Sequence, residues 1–229
     1  MELKGGEVKL LVEKTVQMRA RDSLYMRYRR RGQKKSNLWV VYSPKSRQDI
    51  ILHSDLELIY WLHFVESEAR VKSFSVCDIK VKTDPNFLLE FTDGQHRADY
   101  LRRSPGVAEN NALVWYDNTQ WVAKFIDVME LATVAKQALR WLKPIAYAAA
   151  IRDQELTTLH NALIMEEWKC SGGTVKYLID QLSNFDQNHV IGMLMRHFIE
   201  GRLSFDLSDA SFGGNTRWAI TGKQDEQNQ

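Results

Sequence analysis

Cysteine is scarce in these 229 residues: Cys77 and Cys170 stand too far apart for a zinc-ligand pair and are too few for a secreted disulfide framework. They read as buried thiols. No apolar run approaches the roughly 18 residues that a membrane span needs. The opening Met1-Glu2-Leu3-Lys4-Gly5-Gly6 lacks the basic-then-apolar pattern of a leader. These shortages point to a cytoplasmic chain with no membrane partner. The histidines lack pattern as well. His53 and His63 are ten apart, and His189 and His197 eight apart, neither of which is a metal-ligand spacing.

Net charge is also small, at +2, yet its distribution is uneven. Lys14 to Arg47 carries 11 Lys or Arg against the single acid Asp22, whereas residues 54–229 carry 18 basic against 24 acidic residues. Within the basic front, Arg27, Arg29, Arg30, Arg31, Lys34 and Lys35 are interleaved with Tyr25 and Tyr28. Guanidinium groups pair with phosphates and release counterions, while tyrosine rings stack or bond to sugar and phosphate, so double-stranded DNA is the expected partner. A solvated basic tail is the other reading, although charge this dense repels itself unless something neutralises it.

After this arm, residues 1–37, the pattern is that of an α/β core over residues 38–152. Leu38–Tyr42 reads as a strand, and Ile50–Leu52 as an apolar lead-in to a helix from Ser54 to about Ser67. Ser54 and Glu57 have the Ser-x-x-Glu spacing of a capping box. Strands are expected over 72–80, 87–92, 97–102 and 112–116, with turn signals at Asp93-Gly94 and Ser104-Pro105-Gly106. A helix over 127–142 ends at Pro144, and Ile145–Ile151 reads as one more buried strand of the same mixed sheet.

Residues 153–222 change character. Three helices, 153–169, 175–182 and 187–200, are followed by strands over 202–207 and 216–221, with residues 223–229 as a polar tail. That order is the winged-helix arrangement. Its third helix has Val190, Ile191, Leu194, Met195, Phe198 and Ile199 as the buried stripe, and His189, Met193, Arg196 and His197 outward. Gln187, Asn188, His189, Arg196 and His197 would then face a DNA groove. Winged helices also serve as protein-docking modules, and this one carries little positive charge.

Two carboxylates draw the chemistry together. Asp99 stands in Arg97-Ala98-Asp99-Tyr100, an apolar and basic setting, where it is either a metal ligand or a strand-end turn cap. Glu57 is either the capping-box residue or a second metal ligand. The basic front, the helix beginning Ser-x-Leu-Glu, the Ala-Asp-Tyr step on a strand and the C-terminal winged helix together resemble the TnsA-like endonuclease subunit of heteromeric transposases, over residues 40–220. The resemblance implies a restriction-endonuclease-like mixed sheet with flanking helices. It also implies Mg²⁺ or Mn²⁺ held by Glu57 and Asp99, and a partner transposase or other transposition protein.

The family carries a Glu/Gln-x-Lys step on the next strand, and Leu113-Val114-Trp115-Tyr116-Asp117 has no lysine. Lys124 downstream and Glu109 upstream are the nearest candidates. Loss of a charge-stabilising group from such a site costs about 2.7–4 kcal/mol, or a factor of roughly 100 to 1,000 in rate. The expectation is therefore a DNA-binding, TnsA-like transposition protein whose cleavage centre, Glu57, Asp99 and Lys124, is weakened or lost. An active metal-dependent endonuclease and a winged-helix regulator or scaffold are the alternatives.

Overall fold

The β-branched and aromatic runs Trp39-Val40-Val41-Tyr42 and Ile50-Ile51-Leu52 form a hairpin of β1 (Trp39–Ser43) and β2 (Gln48–Leu52), closed by the turn Pro44-Lys45-Ser46-Arg47. The computed structural model describes residues 37–77, 84–102 and 111–221, with Asp22 and Met26 besides. The expected DNA-binding residues Arg27, Arg29, Arg30, Arg31, Lys34 and Lys35, the residue Glu109 and the tail 223–229 lie outside the described residues. From Asn37 onward the chain forms one compact unit. No helix among the described residues is long and apolar enough to cross a membrane.

Ser54 caps α1 (Asp55–Tyr60) by accepting the Glu57 N–H, and the helix continues in the wider π winding over Trp61–Glu66. Its buried face, Leu58, Tyr60, Trp61, Leu62 and Val65, joins the main core; the Tyr60 ring lies 5.0 Å from that of Phe87. Each such aliphatic or aromatic side chain contributes about 1.5–3 kcal/mol when fully buried.

Next come β3 (Val71–Val76), β4 (Phe87–Phe91) and β5 (His96–Arg102), an antiparallel meander. The Asp93-Gly94 turn joins β4 to β5, and Gly94, at φ 81°, takes a backbone conformation that side chains disfavour. The sequence predicts no strand between Tyr116 and Asp127, and the structure has a long one. After β6 (Leu113–Tyr116), Asp117 and Asn118 both turn left-handed, and β7 (Thr119–Asp127) returns antiparallel to β6. Two central residues with positive φ suit the right-handed twist of a hairpin, and Asp-Asn tolerates them. β7 then lies parallel to β5, giving the order β3-β4-β5-β7-β6. This is an α/β fold with a mixed five-stranded sheet and flanking helices.

Asp127 caps α2 (Val128–Leu139) through the Met129 N–H. The predicted strand over Ile145–Ile151 is instead the helix α3 (Leu142–Ala150). Pro144 starts this helix rather than stopping the one before it, because a proline in the first turn loses no hydrogen bond. Ala146, Ala148, Ala149 and Ala150 favour helix, and a short, wholly apolar run has no period that would separate strand from helix.

The remaining elements are α4 (Thr157–Cys170), β8 (Gly172–Thr174), α5 (Val175–Gln181), α6 (Gln187–Ile199), β9 (Leu203–Phe205) and β10 (Arg217–Ile220). The three strands form an antiparallel sheet in the order β8-β10-β9, so Gly172-Gly173 belongs to a strand that the sequence does not announce. The predicted outward side of α6 is not outward. Met193 and His197 are only 4% and 0% exposed: α3 packs against the helix, and His197 is enclosed by His160 and Glu167 of α4. Gly192 allows the approach: a Cβ there would stand 2.8 Å from the Tyr147 carbonyl oxygen and 2.9 Å from Ile151 Cδ1.

Candidate functional site

Glu57 and Asp99 are both buried, at 2% and 0% exposure, on the side of the sheet that faces α1. Glu57 occupies the third position of its helix, yet its carboxylate does not close the capping box on Ser54. Oε2 accepts the His53 N–H at 2.5 Å, and Oε1 accepts Asn86 Nδ2 at 2.9 Å. Asn86 continues the chain of bonds into the sheet. Its Oδ1 accepts the Leu101 N–H, and its own N–H donates to the Asp99 carbonyl.

Asp99 is neither a turn cap nor an open ligand. Arg97, two residues earlier and so on the same face of β5, donates Nε to Oδ1 at 2.8 Å and a terminal nitrogen to Oδ2 at 2.9 Å. The Tyr60 hydroxyl, one turn along α1 from Glu57, also donates to Oδ2. Burial, and then the Asp99 carboxylate, push the Tyr60 hydroxyl well above its usual range and keep its proton in place. Burial works against the Arg97 cation, but the bonds to Asp99 and Tyr60 more than offset it. Arg97 also lies over the Phe91 ring, 4.7 Å from its centroid.

Lys124 stands directly beside Asp99, because the parallel register pairs Asp99 with Lys124 and Arg97 with Val122. The sequence compares Asp99 with the strand Leu113–Tyr116, but that strand lies at the sheet edge and β7 lies between. Arg97, Tyr60 and Asn86 are the site residues that the sequence reading misses. Arg-x-Asp on a strand is the one local signal for the first of them; the other two depend on tertiary packing.

This donor set does not fit a divalent cation as it stands. All four carboxylate oxygens already accept hydrogen bonds from the protein, and Arg97 already brings a positive charge to Asp99. Among the described residues no group of three His, Cys, Asp or Glu side chains is placed to hold a metal ion.

The chain matches no known protein family, no curated protein and no solved structure.

The expected DNA-reading residues of α6 are scattered by the fold. Asn188 is exposed and His189 half-buried, and both backbone N–H groups are taken by Asp186 at the helix cap. Arg196 turns inward and donates to the Ile151 carbonyl. His197 is enclosed, with Nδ1 2.5 Å from Glu167 Oε1 and Nε2 2.9 Å from His160 Nδ1. These positions form no shared surface with Asp99.

Proposed function

We propose that the protein is a DNA-binding, TnsA-like transposition protein whose metal-dependent cleavage centre has been closed. The observation that carries this reading is the bidentate Arg97–Asp99 pair, completed by Tyr60. A helix-borne Glu57, a strand Asp99 and a neighbouring-strand Lys124 are the parts of a restriction-endonuclease-like centre. The position two before Lys124, where the family carries Glu or Gln, is Val122. One oxygen donor is thus an aliphatic side chain, and the arginine supplies the charge that a cation would. The order helix, strand, helix, helix, strand, strand after Ile151, with sheet order β8-β10-β9, supports a C-terminal winged helix. Because α3 covers its third helix, that module is better suited to docking a transposase or other transposition protein than to reading a DNA groove. DNA contact then falls to the basic arm.

The adjacency of Lys124 to Asp99 favours a second reading, an active Mg²⁺- or Mn²⁺-dependent endonuclease in which Arg97 swings aside. One pair of measurements separates the two. Duplex DNA binding should weaken steeply with salt and be lost when Arg27, Arg29, Arg30 and Arg31 are changed to Ala, since each neutralised phosphate adds to the salt slope. Binding indifferent to these changes would count against the DNA reading. Manganese titrated calorimetrically into the wild-type protein should give no saturable heat; saturable binding lost in both Asp99→Ala and Glu57→Ala would establish the active reading instead.

A further inference from the structure

A groove of about 450 Å³ opens on the other side of the β1–β2 hairpin, where its turn meets the start of β3 and the ends of α3 and α6. Its basic lining is Lys45, Arg47, Lys72, Arg152 and Arg196, with Tyr42 among them. Arg152 lies over the Tyr42 ring, 5.2 Å from its centroid, and is braced by Asp49 at 3.5 Å and Asp153 at 3.3 Å. Lys45 is anchored on the Val65 and Glu68 carbonyls, and Arg196 on that of Ile151. Lys45, Arg152 and Arg196 are thus fixed in place, whereas Arg47 is exposed and Lys72 pairs with Glu90. Burial raises the Tyr42 hydroxyl above its usual range against the opposing charges of Arg152, Arg196 and Arg47, so it keeps its proton, and all three arginines line the same groove.

Glu200 is the one carboxylate on the lining. Arg196 and Arg47 make no ion pair among the described residues, and the planar donor fork of arginine matches the oxygens of a phosphate. Arg47 stands at φ 54°, a left-handed position where Gly or Asn is cheaper, so its side chain is kept at the mouth against a backbone preference. The volume exceeds what a phosphate alone would fill and lies within the range of small-molecule sites. Val71, Ala148 and Ile199 add apolar wall beside the tyrosine ring.

We propose that this groove binds the phosphate group of a nucleotide, held by Arg47, Arg152 and Arg196 with the Tyr42 hydroxyl as a further donor. The ligand is either a free nucleotide or a nucleotide within a nucleic-acid strand. The inference does not depend on the state of the Asp99 centre or on the basic arm.

The test is calorimetric titration of the full chain with ADP, with pyrophosphate and with a 5′-phosphorylated single-stranded oligonucleotide. Saturable binding of at least one probe is expected, weakened about tenfold or more by Arg47→Gly and by Arg196→Gln. Glycine is at ease at Arg47's backbone angles, so Arg47→Gly should keep or raise the melting temperature while binding falls. Lys176→Gln, whose lysine pairs with Asp180 away from the groove, should change nothing. ADP or pyrophosphate binding without the oligonucleotide assigns a free ligand; oligonucleotide binding without ADP assigns a strand phosphate. No saturable binding of any probe, or binding that survives both arginine substitutions, overturns the proposal. Duplex binding through Arg27, Arg29, Arg30 and Arg31 should survive Arg47→Gly, so the two readings fail separately.

Discussion

At the Asp99 centre, Arg97, Tyr60, Asn86 and His53 occupy the oxygens of two buried carboxylates, whereas in the Tyr42 groove Arg47 and Arg196 have no carboxylate paired to them among the described residues. Both regions gather charged side chains. In the first, hydrogen bonds occupy all four carboxylate oxygens, and the network acts as a clamp between helix and sheet. In the second, backbone carbonyls hold Lys45 and Arg196, Asp49 and Asp153 hold Arg152, and Arg47 and Arg196 have no ion pair among the described residues. A charge cluster answered internally explains folding; one that leaves arginines without an ion pair at a groove points to a ligand.

Asp99→Ala separates the two regions most clearly. If the pair is a clamp, removing its buried acid strands Arg97 and should cost about 3–5 kcal/mol in urea unfolding. A loss below about 1 kcal/mol would place Asp99 with the weakly contributing surface pairs. Gly192→Ala tests the other region from behind. An added Cβ at 2.8 Å from the Tyr147 carbonyl must push α3 from α6, which form one wall of the groove. It should cost about 1–3 kcal/mol and weaken phosphate binding, with the Asp99 pair unaffected.

The smallest effect concerns pH. Burial lowers the Lys45 amine to about 8 from its ordinary 10.5, with Glu66 and Glu68 opposing. Between these two values the unfolded chain holds the proton more often than the folded one, so stability should rise with pH across that window. Urea unfolding at pH 8 and pH 10 should show a rise that Lys45→Met removes. Phosphate binding in the groove should weaken over the same range as the cation is lost.

Much of the first region is legible in the chain itself. Ser54 and Glu57 announce a helix start, Asp93-Gly94 a turn, and Asp99 stands out as an acid among apolar and basic neighbours. What local pattern cannot carry is which strand lies beside Asp99. Lys124 becomes its neighbour only because β7 runs parallel to β5, a pairing between segments far apart in sequence. The error over Ile145–Ile151 propagates further. Once that run is read as a strand, the helix α3 that packs against α6 is missing, while the enclosure of His197 by His160 and Glu167 is a helix–helix contact that local spacing does not show. The Tyr42 groove is invisible for a related reason. Its arginines come from a hairpin turn and two helix ends, and no spacing rule links 47, 152 and 196.

The parallel junction also bears on how the sheet assembles. The meander β3–β4–β5 and the hairpin β6–β7 each pair neighbouring strands and close small loops, so each can form early. β5 can meet β7 only after both exist, because a parallel pair cannot be closed by a tight turn. Asp99 lies on one half and Lys124 on the other. Their seam is therefore expected to be the last part of the sheet to form on refolding. Substitutions there should speed unfolding more than they slow folding.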